Sequence, residues 1–496
     1  MKTIVRIVLV LVLLGAAAYS AGAWYLGGQA ELAVNEPYKQ IESIPYVKVV
    51  NREFRRGVFS SDETVTFELF GNMAKFIEQA QKRRPAGDTA AAPGATFLPF
   101  RVTVHSHIKH GPLPDGKTIA AAIVDSEVDV DDRFKPALAK VLGERKVITA
   151  HSVYDYEGNG ESVVTSPAFV FTPGADANER LSWEGVTANV HFIKGLAGVA
   201  MQGNAPKLEI VGKGAHVVVA GMKFEADSKR IFDDEPLLYA GKQKFTIAQI
   251  SVDGQALAGK ALLLKQLSYD VQVPVNGEFM DLLAKIGVQD ILVGQDNFGP
   301  AHYDFSLKHL HGRTYAEMNR VMMKTFSDPE AMAAAGKSGD GFGPMMPQVL
   351  KLLEYNPELS LDRLSFKLPQ GEVLIAARAR FIDVKPEDLK QPPVLLAKLD
   401  ASADIALPEG LLMLPFAMKA DSVEAMQAQM QSRQQQIGTL VAQGYIERDG
   451  AMVKSKLEFR GGRLTVNGKP FDPRALQPRP APPPQPIGHQ PRRRGK

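Results

Sequence analysis

The sequence predicts an α+β fold: a single N-terminal transmembrane helix followed by a large antiparallel-sheet-rich extracytoplasmic body with helices mainly in its second half. Three observations lead to this prediction. Twenty uncharged residues, Ile7–Leu26, stand near the start of the chain. Short segments of alternating polar and apolar residues then recur, separated by turns that contain Gly and Pro. After about Lys260 the sequence changes to segments of helical composition interspersed with further strands.

The first apolar run, Ile7–Leu26, is long enough to cross a membrane as a helix. At about 1.5 Å per residue it spans roughly 30 Å, the thickness of one hydrocarbon core. The basic residues before it favour a cytoplasmic amino terminus, and the aromatic pair Trp24 and Tyr25 suits the opposite interface. We therefore expect an extracytoplasmic body. A cleaved signal peptide is the alternative, because small residues recur from Ala16 and again from Ala21.

The composition is that of an ordinary folded protein, with 45% hydrophobic and 23% charged residues. The chain has no cysteine, which excludes disulfides, thiolate metal sites and a lipidated cysteine. The net charge of +3 hides an uneven distribution, because the residues from Pro473 onwards carry six basic and no acidic side chains. The remainder is therefore slightly acidic, and we expect no nucleic-acid partner.

The apolar run, the change of pattern near Lys260 and the basic tail divide the chain into four predicted regions. They are a membrane anchor (1–26), a β-rich extracytoplasmic region (27–260), an α+β extracytoplasmic region (261–470) and a disordered Pro- and Arg-rich tail (471–496).

Alternation with period two predicts most of the strands in order along the chain. A hairpin or bulged bend around Gly57 joins the first two, and the third ends at the turn His110–Gly116. The further predicted strands of the first region are Ile119–Val130, Lys146–Tyr156, Ser162–Phe171, Val186–Ile193, Leu208–Val211, His216–Ala226 and Phe245–Val252.

The second region is predicted to mix helices and strands. The predicted helices are Met280–Gly287, Tyr315–Met323, Pro347–Tyr355 and Ser422–Gln443. The predicted strands are Leu361–Ile382, Val394–Leu407 and a closing hairpin of Ala451–Phe459 and Arg463–Val466.

Two histidine pairs have the spacing of metal ligands. His105 and His107 lie two apart on a predicted strand, so both project from one face with Cα atoms roughly 6 to 7 Å apart. A third ligand would complete a site, and His110, His151 and Asp125 are candidates. His309 and His311 form the second pair. The alternative interpretation is a polar, outward strand face.

Other chemical motifs are weaker. Ala331–Ser338 fits a loose phosphate-loop pattern, but its spacer is rich in alanine and no clear strand precedes it. The carboxylate clusters Asp129–Asp132 and Asp233–Glu235 are typical of solvated turns. The chain has no Gly-x-Ser-x-Gly elbow and no His-Glu-x-x-His helix.

Five segments resemble, in the same order, blocks of the YdgA family of bacterial inner-membrane and periplasmic proteins, whose function is uncharacterised. They are Trp24–Gly27 with Glu31, Phe54–Ser61, His110–Pro112, Gly444–Gly450 and Gly461–Pro470. The resemblance implies one inner-membrane anchor, a periplasmic, sheet-rich body and no established enzymatic activity. It supplies no catalytic residues, and it does not extend to the Pro- and Arg-rich tail.

We therefore expect a non-enzymatic envelope protein, tethered to the inner membrane through Ile7–Leu26, that binds a lipid, an acyl chain or an envelope partner on apolar sheet faces. One alternative is a metal-dependent hydrolase that uses His105 and His107. Another is a homodimeric scaffold whose copies pair through helices within Met280–Tyr355 or Ser422–Gln443. We predict no cofactor and assign no catalytic, cofactor-binding or metal-binding residue.

Overall fold

A computed structural model describes residues 19–20, 23–26, 28, 44, 47–75, 98–172, 179–212, 214–254, 260–328, 330, 343–413 and 423–471. Within them the chain forms one antiparallel sheet of 24 strands. The strands are β1 (Val47–Arg56), β2 (Ser60–Leu69), β3 (Phe100–His110), β4 (Ala122–Val130), β5 (Ile148–Tyr154), β6 (Gly160–Ser166), β7 (Phe169–Phe171), β8 (Arg180–Trp183), β9 (Val186–Phe192), β10 (Gly198–Gly212), β11 (Ala215–Arg230), β12 (Tyr239–Gly254), β13 (Leu262–Val273), β14 (Val275–Asn276), β15 (Phe279–Val293), β16 (Asp296–Asn297), β17 (Ala301–His311), β18 (Glu358–Leu368), β19 (Gly371–Phe381), β20 (Leu399–Pro408), β21 (Glu447–Asp449), β22 (Met452–Arg460), β23 (Arg463–Val466) and β24 (Lys469–Pro470).

The sheet is a meander, because most strands pair with the next long strand along the chain. The main series runs β1 to β6, then β9 to β13, β15, β17 to β20 and β22 to β24. One edge of β10 is shared by β9 and β8. Such local pairing needs no long crossover, which is why alternating segments with short turns suffice to build it.

Six α-helices with both ends inside the described residues interrupt this series. They are α1 (Lys135–Leu142), α2 (Gly312–Ser327), α3 (Met346–Leu353), α4 (Pro392–Ala397), α5 (Glu409–Leu412) and α6 (Val423–Ala442). The start of α2 is capped by His311, whose side chain accepts a hydrogen bond from the Thr314 backbone N–H.

Two small clusters of buried side chains anchor the sheet. Ile108, Ala122 and Val124 form one on β3 and β4, against Phe54 and Tyr154. The other joins α2 to the sheet through Leu238, Met280, Leu310 and Ala316. Most other apolar side chains of the strands are only half-buried. A long sheet with one uncovered apolar face has this burial pattern.

The prediction of a transmembrane helix is wrong for the fold that the structure describes. None of the helices in the described part of the chain combines the length and the apolar character needed to cross a membrane. Of Ile7–Leu26, the structure describes Tyr19, Ser20 and Ala23–Leu26, all helical, and the rest of the run lies outside the described residues.

One predicted helix is wrong and three are confirmed. Met280–Gly287 lies within β15, paired on both sides by β13 and β17. Tyr315–Met323 lies within α2, and the helices predicted over Pro347–Tyr355 and Ser422–Gln443 correspond to α3 and α6. The structure adds α1, in the first half of the chain, which the sequence patterns did not indicate.

The sheet continues through the predicted boundary at residue 260, because β12 pairs with β13 over eleven residue pairs. The two regions that were predicted on either side of this boundary therefore share one sheet. The predicted Pro- and Arg-rich tail lies, from residue 472 onwards, outside the described residues.

Candidate functional site

One face of the sheet carries a long row of mostly apolar, uncharged side chains. The register places one residue from each of seventeen strands in a single cross-strand row that carries no charge. The row is Ser61, Ile108, Val124, Ser152, Ser162, Val190, Met201, Ala226, Gln243, Val271, Ala284, Phe305, Leu361, Ala377, Ala403, Leu457 and Val466. At about 4.8 Å between strands, the row extends roughly 75 Å. We call this surface the apolar face.

The opposite face carries a row of charged side chains. A second row lies beside the first and points to this opposite face. In it, neighbouring strands place side chains of opposite charge, or side chains that can hydrogen-bond, next to each other, which stabilises antiparallel pairs. Part of it is Glu225, Lys244, Asp270, Lys285, Asp304 and Arg363. The sheet is therefore amphipathic, and a slip of one residue in register would exchange the two faces.

A groove with a volume of about 480 Å³ lies on the apolar face over β17 to β23. Four alanines on two adjacent strands form its floor: Ala377, Ala379, Ala401 and Ala403. Large side chains on the flanking strands form its walls: Tyr303, Phe305, Leu359 and Leu361 on one side, and Leu457, Phe459 and Leu464 on the other. We call this feature the alanine groove.

The walls of the alanine groove leave large apolar surfaces in contact with water. Tyr303 is 45% exposed and Leu359 is 54% exposed. The rings of Tyr303 and Phe305 lie 5.8 Å apart on the same wall. An apolar concavity that stays open in a folded protein is the usual form of a site for an apolar ligand.

A second cavity, of about 500 Å³, lies on the same face over β5, β6, β9 and β10. Tyr154 and Phe192 contribute rings whose centroids are 5.1 Å apart, and the Phe192 ring lies over Gly160. A Cβ added at Gly160 would stand 2.4 Å from the Phe192 ring and 2.8 Å from the Val153 carbonyl oxygen, so the backbone there favours glycine. Burial, together with the nearby Glu63, raises the pKa of Tyr154 and keeps the phenol neutral.

The predicted histidine pair His105 and His107 lies on β3, on the charged face. Each ring has its own carboxylate: His107 Nδ1 is 2.7 Å from Asp62 Oδ1, and His105 Nε2 is 3.5 Å from Asp129 Oδ2. The two rings therefore contact two separate carboxylates and do not converge on one point.

The proposed third ligands do not join that pair. His151 Nδ1 contacts Asp125 Oδ1 at 2.7 Å, and His110 lies on the apolar face, where it is buried. The described residues hold no group of three or more His, Cys, Asp or Glu side chains that could bind a metal ion.

The second pair, His309 and His311, has structural contacts. His309 stacks on Phe279 and His311 stacks on Tyr355, each with ring centroids 4.1 Å apart. Because His311 also caps α2, these rings fix the junction between β17 and the helix.

Of the remaining motifs, the two acidic clusters lie within the described residues. In the first acidic cluster, a hydrogen bond from Arg133 lowers the pKa of Asp131. In the second, Arg313 bonds Asp234 at 2.7 Å and lowers its pKa. These carboxylates are thus held ionised at turns. The phosphate-loop match Ala331–Ser338 lies outside the described residues.

Sequence patterns missed the alanine groove. The signal is present as alanines at alternate positions of two strands, Ala377 and Ala379, then Ala401 and Ala403. It becomes visible only when the register sets these strands side by side, because small residues on one strand alone do not make a groove.

A family model described as "Bacterial protein of unknown function (DUF945)" matches residues 1–474. The matched range ends before the proline-rich sequence from Pro478 onwards. No curated protein and no solved structure matches the chain.

Proposed function

We propose that the alanine groove binds the acyl chain of a lipid. The chain belongs to the DUF945 family of bacterial proteins of unknown function, so the proposal rests on the geometry of the chain itself. The observation that carries the proposal is the shape of the groove, in which small side chains on two central strands lie between large apolar side chains on the flanking strands. Four small side chains form a trough between walls of Leu, Phe and Tyr, along the uncharged cross-strand row.

The width of the groove favours an acyl chain over a protein segment. The walls on β18 and β22 stand three strand spacings apart, about 14 Å between backbones. The side chains of Leu359 and Phe459 narrow this span from both sides. An α-helix with its side chains is about 10–12 Å across, so the narrowed trough suits an extended hydrocarbon chain better.

The strength of binding follows from the apolar surface that the groove offers. Each methylene group removed from water contributes about 0.8 kcal/mol, so a chain with about twelve buried methylenes gains roughly 10 kcal/mol. Loss of translational and rotational freedom opposes this gain by several kcal/mol. We therefore expect reversible binding and assign no chemical reaction to the groove.

The remaining apolar face and the sequence support an envelope role for this binding. The face runs on for roughly 75 Å, longer than one acyl chain needs, so a membrane lipid with several chains could lie along it. The resemblance to the YdgA family supports a periplasmic location of the body. This location stays a prediction.

Titration of the delipidated protein with a fluorescent fatty acid tests the proposal. Leu359→Asp places a charge in the wall of the groove and should weaken binding at least tenfold, because the carboxylate must stay hydrated. Leu374→Asp is the matched control, since Leu374 is 44% exposed and lies on the opposite face of the neighbouring strand.

Both leucines are half-exposed or nearly so, and neither substitution should unfold the sheet. Organic extracts of the purified wild-type protein should contain acyl lipids by mass spectrometry. The proposal is wrong if the wild-type protein binds no fatty acid, or if the two aspartate variants bind it equally well.

A further inference from the structure

Three segments far apart in the sequence meet at one end of the apolar face. The helical residues Tyr19, Ser20 and Ala23–Leu26 pack on the ends of β1 to β4, where the turn Gly57–Phe59 and the turn His110–Leu113 lie together. Ala23 is completely buried there, and His110 is 1% exposed. We call this contact the amino-terminal junction.

The ring of His110 connects the helical residues to the sheet. His110 Nδ1 lies 2.8 Å from the carbonyl oxygen of Ala23, and Nε2 lies 3.0 Å from Ser61 Oγ. A carbonyl can only accept, so Nδ1 carries the proton and donates it to Ala23. In the neutral ring, Nε2 then accepts from the Ser61 hydroxyl, and both ring nitrogens are satisfied.

Further contacts hold the same helical residues. The Tyr19 hydroxyl donates to the Leu113 carbonyl at 2.8 Å. The Arg56 guanidinium donates to the Trp24 carbonyl and lies 4.2 Å from the centroid of the Trp24 ring. The Gly111 backbone approaches so closely that an added Cβ would stand 3.2 Å from the Ala23 Cβ.

We propose that His110 is a pH-sensitive clasp, which holds the helical residues on the end of the apolar face while its ring is neutral and releases them when it is protonated. The release would uncover the His110 ring at the end of the row, next to Ile108 and Ser61. The clasp stands apart from lipid binding in the alanine groove and does not depend on it.

The electrostatic surroundings favour the neutral ring. Burial lowers the pKa of His110, and the Arg56 charge lowers it further, whereas the Ala23 and Ser60 carbonyls, which accept from the protonated ring, act in the opposite direction. The other titratable groups on the elements around His110 have partners of their own or face away from its ring. Glu63 bonds Arg52, and the Tyr19 hydroxyl bonds the Leu113 carbonyl. Tyr154 packs against the buried cluster on β3 and β4, and Lys109 lies on the charged face near Asp125.

The sign of the pH dependence follows from linkage. The released ring would titrate near the ordinary histidine pKa of about 6.5, and the docked ring titrates lower. The docked form is therefore fully favoured above about pH 6.5, and docking weakens as the pH falls toward the lowered value. For one proton the docking equilibrium changes at most about tenfold per pH unit in this window.

Fluorescence of Trp24 in the full chain tests the clasp. The chain has two tryptophans, so Trp183→Phe leaves Trp24 as the single reporter under Arg56. Between pH 7.5 and 4.5 we expect its emission to change with a midpoint below pH 6.5, while far-UV circular dichroism stays constant. His110→Gln keeps a donor toward Ala23 without a titrating group and should abolish the transition.

His107→Gln is the matched control, because His107 lies on the same strand but on the charged face, and this variant should keep the wild-type transition. If the helical residues are released at every pH in the His110→Gln variant, the pKa of His110 in the wild-type chain is measured by NMR and tests the clasp instead. The clasp is refuted if His110 titrates at or above pH 6.5, if Trp24 emission does not change with pH, or if His110→Gln retains the transition.

Discussion

Filling the floor of the alanine groove should weaken acyl-chain binding by an amount that can be calculated. Ala377→Leu adds three carbon atoms to the middle of the floor, where Ala377 faces Ala403 on one side and Leu361 on the other. The added carbons displace about three methylene groups of the ligand, each contributing about 0.8 kcal/mol. A loss of about 2.4 kcal/mol raises the dissociation constant roughly fifty-fold.

The neighbouring alanine supplies a control of the same chemistry. Ala376 lies on the same strand, is also half-buried and faces the charged side opposite Asp404. Titration with a fluorescent fatty acid should show the fifty-fold loss for Ala377→Leu and less than a threefold change for Ala376→Leu. Equal losses in both variants, or no loss in either, would show that the floor of the groove does not contact the ligand.

Three further predictions concern stability. Glu63→Gln removes the charge that Arg52 contacts at 2.7 Å in a site where Glu63 is 2% exposed, and the weaker hydrogen bond should lower the free energy of unfolding in urea by about 2 kcal/mol. Met280→Ala opens a cavity in the buried cluster beneath α2 and should cost about 2–5 kcal/mol in the same assay. Because the pKa of Asp131 is lowered by Arg133, its contribution is present above about pH 4 and is lost as the pH falls through the lowered value, so Asp131→Asn should flatten the acid limb of a stability profile.

The strands could be predicted from sequence because one alternating pattern repeats along the chain. The segment Met280–Gly287 shows where the pattern failed. Leu282, Leu283, Ala284 and Lys285 are good helix formers, and Leu283 breaks the alternation. Pairing with β13 on one side and β17 on the other overrides this local preference, because both edges of the segment are satisfied by strand neighbours.

The candidate sites were harder to predict, because each depends on residues that only the register brings together. The shared face of His105 and His107 followed from period two, but their separate carboxylates lie on β2 and β4. His110 stands three residues further along the strand and therefore faces the opposite side. Its partner Ala23 comes from a segment 87 residues away, and no local pattern reports such a contact.

The charged face explains how the apolar face stays continuous across so many strands. A sheet in which both faces were equally apolar could slip by one residue without penalty. Here a slip between β13 and β15 would move Lys285 away from Asp270 on the charged face and set it on the apolar face beside Val271. Opposite charges at each step, as in Lys244, Asp270, Lys285 and Asp304, therefore favour one register. Because the alanine floor exists only in that register, the cross-strand charges on one face determine the groove on the other.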